Sequence, residues 1–387
     1  MRVFIIAGEP SGDRLGGALM RGLKELRPEV TFEGVGGQEM EAEGLASRFP
    51  MQELSVMGIA EILPGLRHLL RRIDETAQAV IAARPDVLIT IDSPDFCLRV
   101  AKRAKAKIPV RTVHYVAPSV WAWRPKRATK MAKMIDHVLA LLPFEPPYME
   151  AAGMDCDFVG HPVAGEPVAS EGDIAAFRTT HALGDAPLLT ILPGSRGGEV
   201  SRHAPIFGEA LRPILAERPD LRLILPTTGA QAERVQALTA DWPQVPLILD
   251  PRRLSAEAAQ SEKRAAFGAS TAALAASGTV SLELAAQGTP MAIAYGMSRL
   301  TWEIVTRMTL IDTVTLVNLI TDSRVVPECL GPRCTPDNIT PMLRQLLADP
   351  SGQDEATALT MERLGRGGEA PGLRAARAVL ARMPETA

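Results

Sequence analysis

The sequence predicts an α/β chain made of two doubly wound halves, and three observations lead there. Short apolar runs alternate with helix-length amphipathic stretches. The alternation breaks once near the middle, in a stretch dense in Pro and Gly, and then resumes. A length of 387 residues also exceeds what one ordinary core organises. Strands alternating with helices build βαβ units and parallel sheets. The expectation is therefore two similar sheets facing a central cleft, with helices at the C-terminal end.

Each element follows from its own pattern. In the first half, strands are expected at "VFIIA" (3–7), "FEGVG" (32–36), "DVLITI" (86–91), "VRTVHYV" (110–116), "HVLALL" (137–142) and "CDFVG" (156–160). Amphipathic stretches such as 14–26 and 65–83 supply helices between them. Residues 162–187 open with Pro162, Gly165 and Pro167 and hold no long apolar run, so the junction falls there. Strands resume at "LLTIL" (188–192), "LRLILP" (221–226), "VPLIL" (245–249) and "PMAIAY" (290–295). The stretch 336–383 is helical, interrupted at Gly365, Gly367, Gly368 and Pro371. This gives domains at 1–165 and 166–345, followed by a helical tail at 346–387.

Composition narrows the class. With 46% hydrophobic and 22% charged residues, the chain suits a globular protein. A net charge of −3 implies no global attraction to nucleic acid. Cys97, Cys156, Cys329 and Cys334 form no C-x-x-C pair, which fits reduced thiols in the cytosol. No run reaches the roughly 18 apolar residues of a membrane span, so any membrane contact is expected to be peripheral. No ligand-spaced pair stands out among the histidines, and H-E-x-x-H does not occur, so neither a metal site nor a cofactor is expected.

Two turns differ in charge. "AGEPSGD" (7–13) follows a strand and opens a helix, the usual cradle of a phosphate, yet it carries Glu9 and Asp13. Its glycines match neither G-x-G-x-x-G nor G-x-x-x-x-G-K. Carboxylates there suit sugar hydroxyls; Ser11 or Asp13 as a helix cap explains the turn equally well. "LLTILPGSRGGE" (188–199) has the opposite chemistry: Gly194, Gly197 and Gly198 admit a ligand close to the backbone. Ser195 adds a hydroxyl and Arg196 a bidentate cation, which together make a candidate diphosphate site. "ASGTVSLELA" (276–285) repeats the device with Ser277, Gly278 and Thr279, and places Glu283 where a carboxylate meets ribose hydroxyls. "LITIDSPDF" sets Asp92 and Asp95 at the C-terminal end of a strand, where open sheets bind ligands. "HYVAPSVWAWRPKR" joins Trp121 and Trp123 to basic residues in a chain only 4% aromatic; the pairing also serves single-stranded nucleic acid, but no RNA-binding motif accompanies it, and core packing or a wall of the acceptor cleft accounts for the tryptophans.

Taken in order, "AGEPSGD", "VGG" with Met40, "MGIAEIL", "PDFC", "HYVAPSVWAW", "LLPFE", "FVGHP", "LPGSR", "ASGTVSLELA", and "NLI" followed by "PE" resemble the lipid-A-disaccharide synthase family from residue 3 to about 345. The resemblance implies a GT-B fold of two Rossmann-like domains and an inverting transfer. 2,3-Diacylglucosamine would pass from UDP-2,3-diacylglucosamine to the 6-hydroxyl of 2,3-diacylglucosamine 1-phosphate, giving a β-1,6-linked disaccharide 1-phosphate and UDP. It maps the catalytic base onto Asp92, with Asp95 as second choice, and makes Asn318 a substrate-binding residue. It places the enzyme in the cytoplasm at the inner-membrane surface, with a homodimer as an open option and no nucleic-acid partner. The matching segment 57–73 would dip apolar residues, among them Leu66, Leu69, Leu70 and Ile73, into that surface, with Arg67, His68, Arg71 and Arg72 on the other face, whereas periodicity alone fits a core-facing helix. Another enzyme of the same fold is the alternative: a UDP-sugar 2-epimerase or a transferase with a different lipid acceptor. Three positions depart from the family pattern: Cys97 for a usual Asn, Gly331 for a Gln, and Thr271 for an acid.

Overall fold

The computed structural model describes residues 1–54, 62–276, 278 and 280–383. The chain divides into two units, Met1–Gly165 with Leu364–Ala387, and Glu166–Arg363.

In the first unit the strands are β1 (Arg2–Ala7), β2 (Thr31–Val35), β3 (Val87–Ile91), β4 (Arg111–Tyr115), β5 (His137–Ala140) and β6 (Asp155–Phe158). Between them run α1 (Pro10–Leu26), α2 (Gln38–Ala42), α3 (Ile62–Ala83), α4 (Pro94–Lys105), α5 (Lys126–Met131) and α6 (Pro146–Glu150). All pairings are parallel, in the order β2-β1-β3-β4-β5-β6. Strand residues point alternately to opposite faces, and both faces are apolar. Phe4, Ile6 and Leu88 enter one core, while Val3, Ile5, Ala7, Val87 and Ile89 enter the other. That explains why the strands read as continuous hydrophobic runs. A lone parallel bridge, Gly34 to Ser47, continues the sheet beyond β2.

The second unit holds β7 (Leu188–Leu192), β8 (Arg222–Pro226), β9 (Leu247–Leu249), β10 (Ala272–Ala275), β11 (Met291–Tyr295) and β12 (Glu328–Leu330). Its helices are α7 (Glu171–Thr180), α8 (Gly197–Glu217), α9 (Ala232–Thr239), α10 (Ala256–Gly268), α11 (Val280–Ala286), α12 (Arg299–Met308), α13 (Leu316–Thr321), α14 (Pro336–Ala348) and α15 (Asp354–Arg363). The order is β12-β11-β10-β7-β8-β9, again parallel. Read from the first strand of the unit, this is the 3-2-1-4-5-6 order of a dinucleotide-binding sheet. β10 and β12 escaped the sequence reading. β10 is "AALA", composed of the best helix former, and β12 has only three residues.

The stretch 346–387, expected as a tail of its own, is shared out. α15 stays with the second unit, and α16 (Pro371–Ala381) returns to the first and packs on α1. The contact is backbone-close, since a Cβ on Gly372 would lie 2.5 Å from the Ala18 carbonyl oxygen. No helix among the described residues is long and apolar enough to cross a membrane.

Each sheet has one point where the chain reverses direction: between β1 and β3 in the first, and between β7 and β10 in the second. Ligands of open α/β sheets bind beyond the carboxyl ends of the strands at such points. The turns leaving these four strands are the ones singled out above for their chemistry.

Candidate functional site

In the first unit, the turns after β1 and β3 touch. A Cβ on Gly8 would lie 2.5 Å from Ser93 Oγ, so only glycine lets the acidic turn close on the "DSPD" turn. Asp92 and Ser93 both adopt left-handed backbone, at φ 50° and 40°. Such conformations cost of order 1–3 kcal/mol each and cluster at functional sites. The amide of Asp92 donates to the Tyr115 carbonyl (3.0 Å), which ties the end of β3 to the end of β4. The Asp92 residue stays half-buried, while Asp95, in the first turn of α4, is exposed. Glu9 and Ser11 are exposed at the start of α1.

Asp13 behaves differently. It is buried, and its carboxylate accepts the amides of Gly37 (2.8 Å), Glu39 (3.0 Å) and Met40 (3.1 Å). It therefore caps α2, a helix that starts 25 residues further on, and not the helix it sits in.

In the second unit, the turn after β7 is built around Gly194, whose φ of 127° favours glycine. Glu199 folds back under it, and its carboxylate accepts the amides of Ser195 (3.1 Å) and Arg196 (3.3 Å). The Arg196 side chain is 83% exposed, paired loosely with Glu199 at 3.2 Å. A second cation was not foreseen: the guanidinium of Arg234 lies 2.2 Å from where a Cβ on Gly197 would be. His203, fully buried in α8, braces the turn from below. Its Nδ1 bonds the Pro193 carbonyl (2.8 Å), and its Nε2 accepts the Gly296 amide (3.0 Å). Burial holds its pKa below the ordinary value, so it braces the turn as a neutral ring.

These turns open on a cavity of about 660 Å³ lined by Gly194, Ser195, Arg196, Gly278, Glu283 and residues of the β8 turn. That size suits a small-molecule ligand. Glu283 lines it, ion-paired with Lys263 at 2.5 Å. Ser277 and Thr279 lie outside the described residues; Gly278 between them has φ 145°. Lys263 and Thr227, Thr228 and Gly229 were missed in the sequence, although "LRLILPTTGA" shows the same change from strand to small-residue turn.

Asn318, expected at the substrate, is wholly buried. Its amide donates to Thr313 Oγ1 (3.1 Å) and the Val326 carbonyl (2.9 Å), and its oxygen accepts the Val326 amide (3.0 Å). Both amide N–H bonds thus serve the protein, and Asn318 clamps the segment leading into β12. His114 is also buried and His161 half-buried; burial holds each down to about 4. Among the described residues, no three His, Cys, Asp or Glu side chains cluster as metal ligands would. Of the segment 57–73, residues 57–61 and the side chains of 62–66, Leu66 among them, lie outside the described residues. Ile73 is fully buried and Leu69 packs against the core, while Leu70 is exposed, so the expected lipid-facing stripe is divided between interior and surface.

A model of the lipid-A-disaccharide synthetase family matches residues 3–374. The chain belongs to the lipid-A-disaccharide synthetase family. The lipid-A-disaccharide synthase of Ruegeria pomeroyi is 66% identical over 384 residues, covering 99% of this chain and 96% of the relative. That of Rhodospirillum centenum is 48% identical, covering 98% and 94%. Among solved structures, a UDP-GlcNAc 2-epimerase from Neisseria meningitidis bound to UDP-GlcNAc aligns with a TM-score of 0.66 at 12% identity, over 98% of this chain and 99% of that one. The Anabaena protein HepE in complex with UDP-glucose aligns at 0.59 and 12%, over 98% and 99%. At such identities the likeness speaks of fold: two α/β domains of GT-B type. Family membership carries the activity, and the chain is a glycosyltransferase that forms the lipid A disaccharide.

Two of the three departures from the family pattern have structural settings. Cys97 is fully buried beside Asp92; burial and then the Asp92 charge push its thiol upward, so it stays a neutral thiol. At Gly331, φ is 57° and the Trp302 ring fills the side-chain space, 2.2 Å from a would-be Cβ, so a longer residue does not fit while Trp302 stays in place. Nothing in the structure explains Thr271.

Proposed function

We propose that the second unit holds UDP-2,3-diacylglucosamine and the first receives 2,3-diacylglucosamine 1-phosphate. The supporting observation is the contrast between the two switch points: Glu9, Ser11 and Asp92 and no cation in the β1/β3 turns, against the glycine-rich turn with Arg196 at β7/β10, where Arg234 of α9 lies beside Gly197. Asp92 takes the proton of the acceptor 6-hydroxyl as that oxygen bonds to the anomeric carbon of the donor. The bond from that carbon to the diphosphate oxygen breaks on the opposite face, and its electron pair leaves with UDP, so the configuration inverts. Arg196 stabilises the charge that develops on the diphosphate. For donor phosphates to reach the Ser195 and Arg196 amides, the Glu199 carboxylate has to give way. Glu283 and Lys263 face the nucleoside end.

The enzyme works at the cytoplasmic surface of the inner membrane. Leu70 is exposed on α3. In the second unit, α12 turns Trp302 toward Gly331 and leaves Leu300 (74% exposed), Ile304 (50%) and Met308 (39%) outward, followed by Leu310 (62%). An outward apolar face beside Arg299 and Arg307 is the pattern of an interfacial helix.

The test uses the donor with and without acceptor, with products read by mass spectrometry and NMR. Disaccharide 1-phosphate formed only with both substrates supports the transfer. A donor epimerised at C2 without acceptor supports the epimerase alternative. Asp92→Asn should lower turnover by about 10²–10⁴-fold and leave UDP binding intact; retained turnover overturns the assignment of the base.

A further inference from the structure

The ten positions 124–133 carry Arg124, Lys126, Arg127, Lys130 and Lys133. None of the five forms an ion pair or side-chain hydrogen bond with a described residue. Two other cations of the same unit are matched, Lys105 with Asp136 and Arg111 with Asp155. An uncompensated cluster of this kind is a place for an external anion.

Its setting is built, and the strap that carries it starts at the strand end that holds Asp92. The chain leaves β4 at Tyr115, whose carbonyl holds the Asp92 amide, and enters a strap that ends at α5. Val116 opens the strap at φ 83°, and Arg124 closes it at φ 52°. For a β-branched residue the first value is a genuine outlier, and it persists only where the surroundings enforce it. Val120 is buried, and the Trp121 indole donates to the buried Glu145 carboxylate (3.2 Å) while its ring meets Phe144 edge-on. These pegs hold the strap down and leave Trp123 40% exposed. The Arg124 guanidinium lies over the Trp123 ring, 4.3 Å from its centroid. A guanidinium stacked in this way keeps its N–H edge free for a planar or tetrahedral oxyanion. Arg127 is half-buried at the start of α5, and its charge reaches the buried His114. His114 is neutral and does not satisfy it.

We propose that this strap is the phosphate-binding subsite of the acceptor, with Arg124 and Arg127 holding the phosphomonoester while Trp123 orients Arg124. The assignment rests on the acceptor reading given above. A monoester is dianionic near neutral pH and uses two forked cations better than a diester head group does.

The experiment compares wild type with Arg124→Gly, which suits the left-handed backbone, and with Arg127→Ala. Thermal midpoints by circular dichroism verify folding. Acceptor KM should rise about tenfold or more in each variant, as expected for loss of a charge-assisted contact. Donor KM and UDP affinity should stay within about twofold, since no donor contact is removed. Binding of glucosamine 1-phosphate should weaken in parallel, and glucosamine should show no difference. A rise in donor KM assigns the cluster to the donor and overturns the proposal. Unchanged acceptor KM with reduced sedimentation on phosphatidylglycerol vesicles makes it a head-group patch, which also overturns it. If wild type makes no disaccharide yet binds glucosamine 1-phosphate through these arginines, the reaction assignment fails and the subsite stands. If disaccharide forms and the variants bind and turn over as wild type does, the subsite fails alone.

Discussion

Ser93 occupies the space that a side chain on Gly8 would need, with its Oγ 2.5 Å and its Cβ 2.8 Å from a would-be Gly8 Cβ. The pair joins the turn after β1 to the turn after β3, and Asp92 sits immediately before Ser93 in the same left-handed stretch. Gly8→Ala should therefore cost about 1–3 kcal/mol by overpacking, measured by denaturant unfolding, and lower kcat through displacement of Asp92. Ser93→Gly frees that volume and suits φ 40°, so the double variant Gly8→Ala/Ser93→Gly should recover both stability and kcat. No recovery would mean that the two turns are not coupled through this contact.

Asp13 caps α2 across the fold. Asp13→Ala leaves three amides without their acceptor and should destabilise by about 1–3 kcal/mol. At temperatures where the variant remains folded, acceptor KM should match wild type. A higher acceptor KM in a fully folded variant would make Asp13 a substrate contact.

Glu145 titrates near neutrality. Burial, the largest influence, pushes it up to about 7, against the opposing bonds from the Leu142 amide, the Trp121 indole and the Leu141 amide. The folded state thus holds this proton more tightly than the unfolded state, whose value is near 4.5. Its contribution is fully present below that value and is lost as pH rises through about 7. The loss is on the order of 3 kcal/mol. Wild type should lose this stability between pH 5 and pH 8, and Glu145→Gln should show a flatter profile. Parallel profiles would place the titration elsewhere.

The exposed face of α12 offers a test of membrane contact. Leu300→Ser with Ile304→Ser and Met308→Ser alters three outward side chains and no buried one. Sedimentation with phosphatidylglycerol vesicles should fall several-fold, because each removed apolar contact weakens interfacial binding. The unfolding midpoint should be unchanged. Undiminished sedimentation would move the contact to another surface.

Much of this protein is local in origin. Strands such as Leu188–Leu192 need an apolar run between turn residues, and a parallel sheet covered on both faces demands nothing more distant, so periodicity placed them. The turns at Asp92 and at Gly194–Arg196 were visible because strand, small residue and charged group are consecutive in the chain. What only the tertiary structure decided are relationships between residues far apart in sequence. Asp13, open in the sequence between sugar-hydroxyl contact and helix cap, meets amides 24 to 27 positions on, and Asn318, which the family resemblance set at the substrate, is enclosed by Thr313 and Val326. Lys263 on α10 and Glu283 on α11 are twenty positions apart, and only the folded chain brings them into an ion pair at the cavity. Which strands lie side by side is set by the packing of crossover helices over the whole sheet, and so is the reversal point that brings the Gly8 and Ser93 turns together. A carboxylate or amide has the same covalent structure as cap, clamp or catalyst. Its role depends on which amides and cations the folded chain brings within hydrogen-bonding distance.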